Sequence, residues 1–123
     1  MHDIVENLLD TVTIGGRAVP YAHMKFTGKN SLLYIVYSFL SEAPRISADD
    51  MPEVSIVEVD VDIYAKIRSE FTGTINAVKS TFISAGWTWE EDGPELFEND
   101  TGYIHKTITF EIERNNSWTQ LSD

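Results

Sequence analysis

Apolar and polar positions alternate without interruption from Val57 to Tyr64. Val57, Val59, Val61 and Ile63 fall on one side, and Glu58, Asp60, Asp62 and Tyr64 on the other. A period of two specifies a strand with one face buried and one face in water. The alternation returns near 103–113, where Ile104, Ile108, Phe110 and Ile112 interleave with His105, Thr107, Thr109 and Glu111. Leu32 to Leu40 is apolar on both faces: Leu33, Ile35, Tyr37 and Phe39 on one, Leu32, Tyr34, Val36 and Leu40 on the other. Such a strand needs cover on both sides. Trp87-Thr88-Trp89 reads as a further short strand, and Glu90 to Asp100, around Gly93-Pro94, as an acidic turn region.

Two segments carry the helical period instead. Ile4, Val5, Leu8, Leu9 and Val12 mark one stripe. Asp3, with Glu6 three residues on, reads as its N-cap, and Gly15-Gly16 as its end, so the helix is expected at 3–12. Phe71, Ile75, Val78, Phe82 and Ala85 place a second helix at 70–85, with Ser69 as cap and Gly86 just past its end. Residues 13–31 are punctuated by glycine and proline, which predicts loops with a short strand near Val19–His23. Glu42 to Pro52, with Pro44 and Ser47-Ala48-Asp49-Asp50, reads as a polar connecting loop. Strands in two groups, not alternating singly with helices, predict an α+β fold: a mainly antiparallel sheet with two helices packed on one face.

The 123-residue length fits one domain, expected over 1–114, with a mobile polar tail at 115–123. Nine basic and twenty acidic residues give a formal charge of −11. The imbalance is uneven: four bases and six acids precede residue 51, whereas five bases and fourteen acids follow residue 50. So acidic a chain is a poor candidate for gripping nucleic acid, which needs lysines and arginines against phosphates. Without cysteine there is no disulfide, thiolate metal site or cysteine nucleophile. The N-terminus has acids where a signal peptide has bases, and no apolar run approaches the ~20 residues of a membrane span. The expectation is a soluble protein.

Candidate chemistry is sparse. Glu58, Asp60 and Asp62 would stand in a row about 7 Å apart on one strand face. Such a row can bind a divalent metal or supply an acid–base pair, the basis for an alternative reading as a small metal-dependent hydrolase. A solvated strand face explains the same residues, because an alternating strand needs polar positions there anyway. His2, His23 and His105 are scattered and accompany no serine or carboxylate motif. Gly15-Gly16 lacks the remainder of a phosphate-binding loop. No catalytic residue, metal ligand or cofactor site is assigned, and an enzyme is not expected. Arg17, Lys25 and Lys29 oppose the acidic segment Glu90, Glu91, Asp92, Glu95, Glu98 and Asp100, so the two could pair between copies or stand as solvated loops.

Three motifs in the second half carry a resemblance. They are Val61-Asp62-Ile63-Tyr64, then Ala85-Gly86-Trp87, then Leu96-Phe97-Glu98-Asn99-Asp100-Thr101 followed by Ile104-His105-Lys106. Over about residues 32–113 the chain resembles the tail-completion (tail-to-head joining, or tail-terminator) proteins of long-tailed phages and prophages of Gram-positive bacteria. The resemblance implies a small α+β structural subunit that forms a hexameric ring, caps the tail tube and joins it to the head connector. It implies no cofactor, a place in the virion tail, and the bacterial cytoplasm during assembly. A neck protein on the head side of the same joint is the neighbouring alternative. In such a ring Tyr34 belongs to the second apolar face, expected to meet a neighbouring subunit or the loops at 13–31 and 42–53. Those loops, with Arg17, Lys25, Lys29, Arg45, Asp49 and Asp50, are the expected assembly contacts. DNA would only pass through the lumen, unbound. Glu58, Asp60, Asp62, Glu111 and Glu113 are candidates to line it, because carboxylates repel the duplex where bases would hold it.

Overall fold

A computed structural model describes residues 1–26, 31–46 and 52–115. Helix α1 spans His2–Leu9 and is followed by short strands β1 (Thr13–Ile14), β2 (Arg17–Ala18) and β3 (Tyr21–His23). Two long strands come next, β4 (Leu33–Ile46) and β5 (Pro52–Ala65), and then helix α2 (Arg68–Ser84). Strands β6 (Thr88–Asp92), β7 (Leu96–Phe97) and β8 (Ile104–Asn115) complete the order. The main sheet runs β3-β4-β5-β8-β6, with β7 also paired to β8. Every pairing in it is antiparallel except β3 with β4. The fold is therefore α+β, with two helices against a mostly antiparallel sheet.

Alternation decides which face is covered. Ile35 and Tyr37 of β4, Val57, Val59, Val61 and Ile63 of β5, and Ile108 and Phe110 of β8 are all buried on the helix side. Phe71, Val78 and Phe82 of α2 and Val5 and Leu9 of α1 join them, with Trp87, in one cluster. Phe82 stacks on Phe110 at 4.6 Å and meets Trp87 edge-on at 5.5 Å. Each such side chain contributes roughly 1.5–3 kcal/mol by leaving water, which makes this cluster the dominant support of the fold.

Several boundaries differ from the expectation. Helix α1 ends at Leu9, and its N-cap is Met1, with no side-chain cap bond. Asp3 instead lies in the first turn, where its charge still favours the helix dipole. Gly15 and Gly16, at φ +59° and +78°, form the two-residue turn of the β1–β2 hairpin, beyond the helix. The N-cap of α2 is Ile67, again without a side-chain bond, so Ser69 is not the cap. Its C-terminus follows the expectation: Gly86 has φ +98°, its N–H donates to Ile83, and Trp87 N–H donates to Phe82. That pair of bonds is a Schellman motif. The expected loop at 42–52 is mostly strand. Ala43 pairs with Ile56 and Arg45 with Val54, so the two long strands continue to Ile46 and from Pro52. Proline can sit in a strand where no ladder bond needs its N–H. The proposed tail at 115–123 begins with Asn115, which is the last residue of β8; the rest lies outside the described residues.

Candidate functional site

The sheet face turned away from the helices holds the acids singled out above. Strands β5 and β8 are neighbours, and Glu58 lies directly opposite Glu111. Asp60 faces Thr109, Asp62 faces Thr107, and Glu113 sits opposite Ile56, one step diagonal from Glu58. All five carboxylates therefore share one patch. Threonine hydroxyls bond two of the aspartates: Thr109 Oγ1 donates to Asp60 Oδ1 at 2.6 Å, and Thr107 Oγ1 donates to Asp62 Oδ1. Burial pushes the Asp62 carboxyl above its ordinary value, and the Thr107 bond only partly offsets it. Among the described residues no three His, Asp or Glu side chains form a set that could hold a metal ion. The row is a charged surface in which hydroxyls already use part of its acceptor capacity.

Beside the acids the same face carries an aromatic column that alternation alone does not announce. Phe26 stacks on Tyr34 at 4.3 Å, and Tyr34 on Tyr64 at 4.7 Å, with both interplanar angles at 10°. Tyr103 meets Tyr34 edge-on at 5.3 Å, and the His105 ring lies 4.8 Å from Tyr64. Lys66 Nζ sits 4.8 Å over the Tyr103 ring, an attraction of cation for ring quadrupole. Tyr103 Oη donates to the Ser31 carbonyl, tying this column to the start of β4. Burial, then the neighbouring tyrosines and Glu98, pushes the Tyr34 pKa up to about 12, so its hydroxyl stays protonated. The expected second apolar face is thus partly covered from within: Phe26, from the segment after β3, lies on Tyr34. Leu32 and Leu40, at 52% and 53% exposure, stay open.

A second polar cluster joins α1 to the sheet. Tyr37 Oη donates to Glu6 Oε2 at 2.6 Å and lies 3.0 Å from His2 Nδ1. With the phenolic hydrogen given to Glu6, His2 Nδ1 must be the donor to the oxygen. His23 packs edge-on against His2 at 4.3 Å, and burial, then His2, lowers its pKa. The signal was present as one glutamate and one histidine in the first turns of a helix, but their partners are more than thirty residues away.

The basic and acidic segments are partly satisfied inside the chain. Lys79 and Lys106 reach Asp92 Oδ2 at 3.0 and 3.1 Å, and Arg68 grips Glu95 with two bonds of 2.7 and 2.8 Å. Arg17, with an 83% exposed side chain, reaches Glu70 only at 4.0 Å. Lys25 is exposed just beyond β3. Arg45 lies on β4, not in a loop, while Lys29, Asp49 and Asp50 fall outside the described residues. Near Arg17 a cleft of about 320 Å³ opens between the β1–β2 hairpin and the start of β4, lined by Ile14, Val19, Pro20, Leu32 and Leu33. No described helix is long and apolar enough to cross a membrane. In comparisons with known proteins, no family model matches the chain, and no curated protein matches it.

Proposed function

We propose that the chain is a structural subunit of a phage tail that assembles into a six-fold ring, ends the tail tube and joins it to the head connector. It works in the virion and assembles in the host cytoplasm. One observation carries the reading: residues from all three motifs meet in the fold, with Val61, Ile63, Trp87 and Ile104 in one core cluster. Tyr64 and His105 are ladder partners, as are Ile63 and Lys106. Glu98 Oε2 approaches His105 Nδ1 at 3.8 Å, while the Gly86 turn delivers Trp87 into the core beside Phe82. A family pattern that describes packing should gather residues distant in sequence in this way. Light scattering and electron microscopy of the purified protein, alone and mixed with tail tubes, test the proposal. Six-fold particles seated on tube ends are expected. Tubes that stay uncapped and keep growing in its presence would refute it.

A further inference from the structure

The cleft beside Arg17 and the exposed strand β7 are complementary, and both stand at one end of the sheet. Leu33, Ala65, Ile104 and Phe97 occupy a single row across β4, β5, β8 and β7. Three interstrand steps put the two ends of that row about 14 Å apart. The N-terminus of α2 lies between them, with Arg68 bonded to Glu95 on the β7 side and Glu70 lining the cleft. On one flank Phe97 is 62% exposed and Leu96 50%, an apolar knob. On the other flank the cleft has apolar walls, and its 320 Å³ is at the small end of ligand pockets, about 300–1,000 Å³.

Its polar content argues against a small polar ligand. Ser31 spends its hydroxyl on the Leu33 carbonyl at 2.7 Å, and its own carbonyl accepts from Tyr103. What remains is the Arg17–Glu70 pair at the rim, with the arginine facing water. Phe97 is followed by Glu98 and Asp100. An aromatic knob flanked by acids therefore matches an apolar cleft flanked by an exposed arginine.

We propose that the occupant of this cleft is Phe97 of a second copy of the chain, with Arg17 turned toward the acids after that copy's knob. The proposal rests on the ring reading and supplies its subunit contact. Knob and cleft are different surfaces, so the contact is heterologous, and repetition about an axis closes a ring.

The absence of cysteine gives a clean test. Leu32→Cys with Leu96→Cys in one chain, which leaves the Phe97 knob intact, is oxidised mildly and run without reductant, beside each single-cysteine variant. Within one chain the two sites are too far apart to bridge, since a disulfide needs Cα atoms within about 7 Å. A ladder of covalent oligomers ending at the ring is expected, while the single variants stop at dimers. Both residues are at least half exposed, so matched thermal melts should show that folding is unaffected. Phe97→Ser is a second check, expected to melt like the parent but to lose self-association. Ring-sized parent protein with no ladder above the controls overturns this contact and leaves the ring reading standing. A parent that stays monomeric even on tail tubes, with no ladder, overturns both.

Discussion

Asp92 sits on the helix side of the sheet with Lys79, Lys106 and the Trp89 indole N–H all donating to it. Burial alone would raise its carboxyl, but these three donors outweigh burial and hold it below its ordinary 3.8. A lowered carboxyl contributes stability that is present above the ordinary value and lost as pH falls through the folded-state value. Asp92→Asn should therefore cost about 1–3 kcal/mol at pH 7. The gap from the parent should close in acid, measured by urea melts across pH. Asp62 is expected to behave with the opposite sign, since burial raises its carboxyl. The folded state then prefers the proton, and stability is gained as pH falls through the raised value. Asp62→Asn should melt at or above the parent at pH 7, with the difference vanishing toward pH 4; a melt several degrees lower would refute this. Thr74 offers a third test. It is fully buried on α2, and its hydroxyl finds no partner among the described residues. Thr74→Val keeps the shape, removes the unsatisfied group and should stabilise by about 1 kcal/mol in denaturant titration.

At the scale of elements, register is the quantity that matters, because a shift of one residue exchanges the two faces of a strand. Val59 is fully buried, while its neighbour Asp60 lies on the open face with one hydroxyl partner. Val59→Asp places an unpaired carboxylate among Phe110 and the other core residues and should abolish the cooperative thermal transition. Asp60→Asn keeps an acceptor for Thr109 and should shift the midpoint by only a degree or two. Equal effects would contradict the observed pairing. The long hairpin of β4 and β5 shows why element ends were hard to read. Its outer half, Ser41–Ile46 against Pro52–Glu58, contains two prolines and polar residues, which signal a loop by composition. The ladder bonds to β8, which accompanies β5 as far as Val54, supply the support that local propensity does not.

For the whole molecule, the charge of −11 and the facing Glu58–Glu111 rung concentrate carboxylates on this part of the sheet face. In the proposed ring that patch is a candidate to line the lumen, where carboxylates would repel the duplex within a screening length of about 8–10 Å. Replacing Glu58, Asp62 and Glu111 with lysine, in phage that still assemble, should slow DNA ejection, read as release kinetics from purified virions. An assembled ring with these acids on its outer rim would remove the idea. Self-association of like-charged subunits should also strengthen with added salt, because screening reduces their mutual repulsion. Sedimentation at low and high ionic strength measures this.

The sequence by itself determined the core. Period two at Val57–Tyr64 and near 103–113, and the 3.6 period of α2, each name the residues that must leave water, and burial follows that pattern at Val57, Val59, Val61, Ile63, Ile108 and Phe110. The Gly86 stop was legible too, since a positive φ after the last helical turn is cheap only without a Cβ. The acid row was legible as a row, but its neighbours Glu111 and Glu113 joined it only when β8 paired with β5. The aromatic column, the Tyr37–Glu6–His2 cluster and the matched flanks at Leu33 and Phe97 were decided by tertiary structure alone. Their members lie far apart along the chain, and nothing local distinguishes a tyrosine that will stack from one that will not. Hydrophobic period specifies which way a side chain faces. Strand order and register, set by the packing of the whole sheet, specify what it meets.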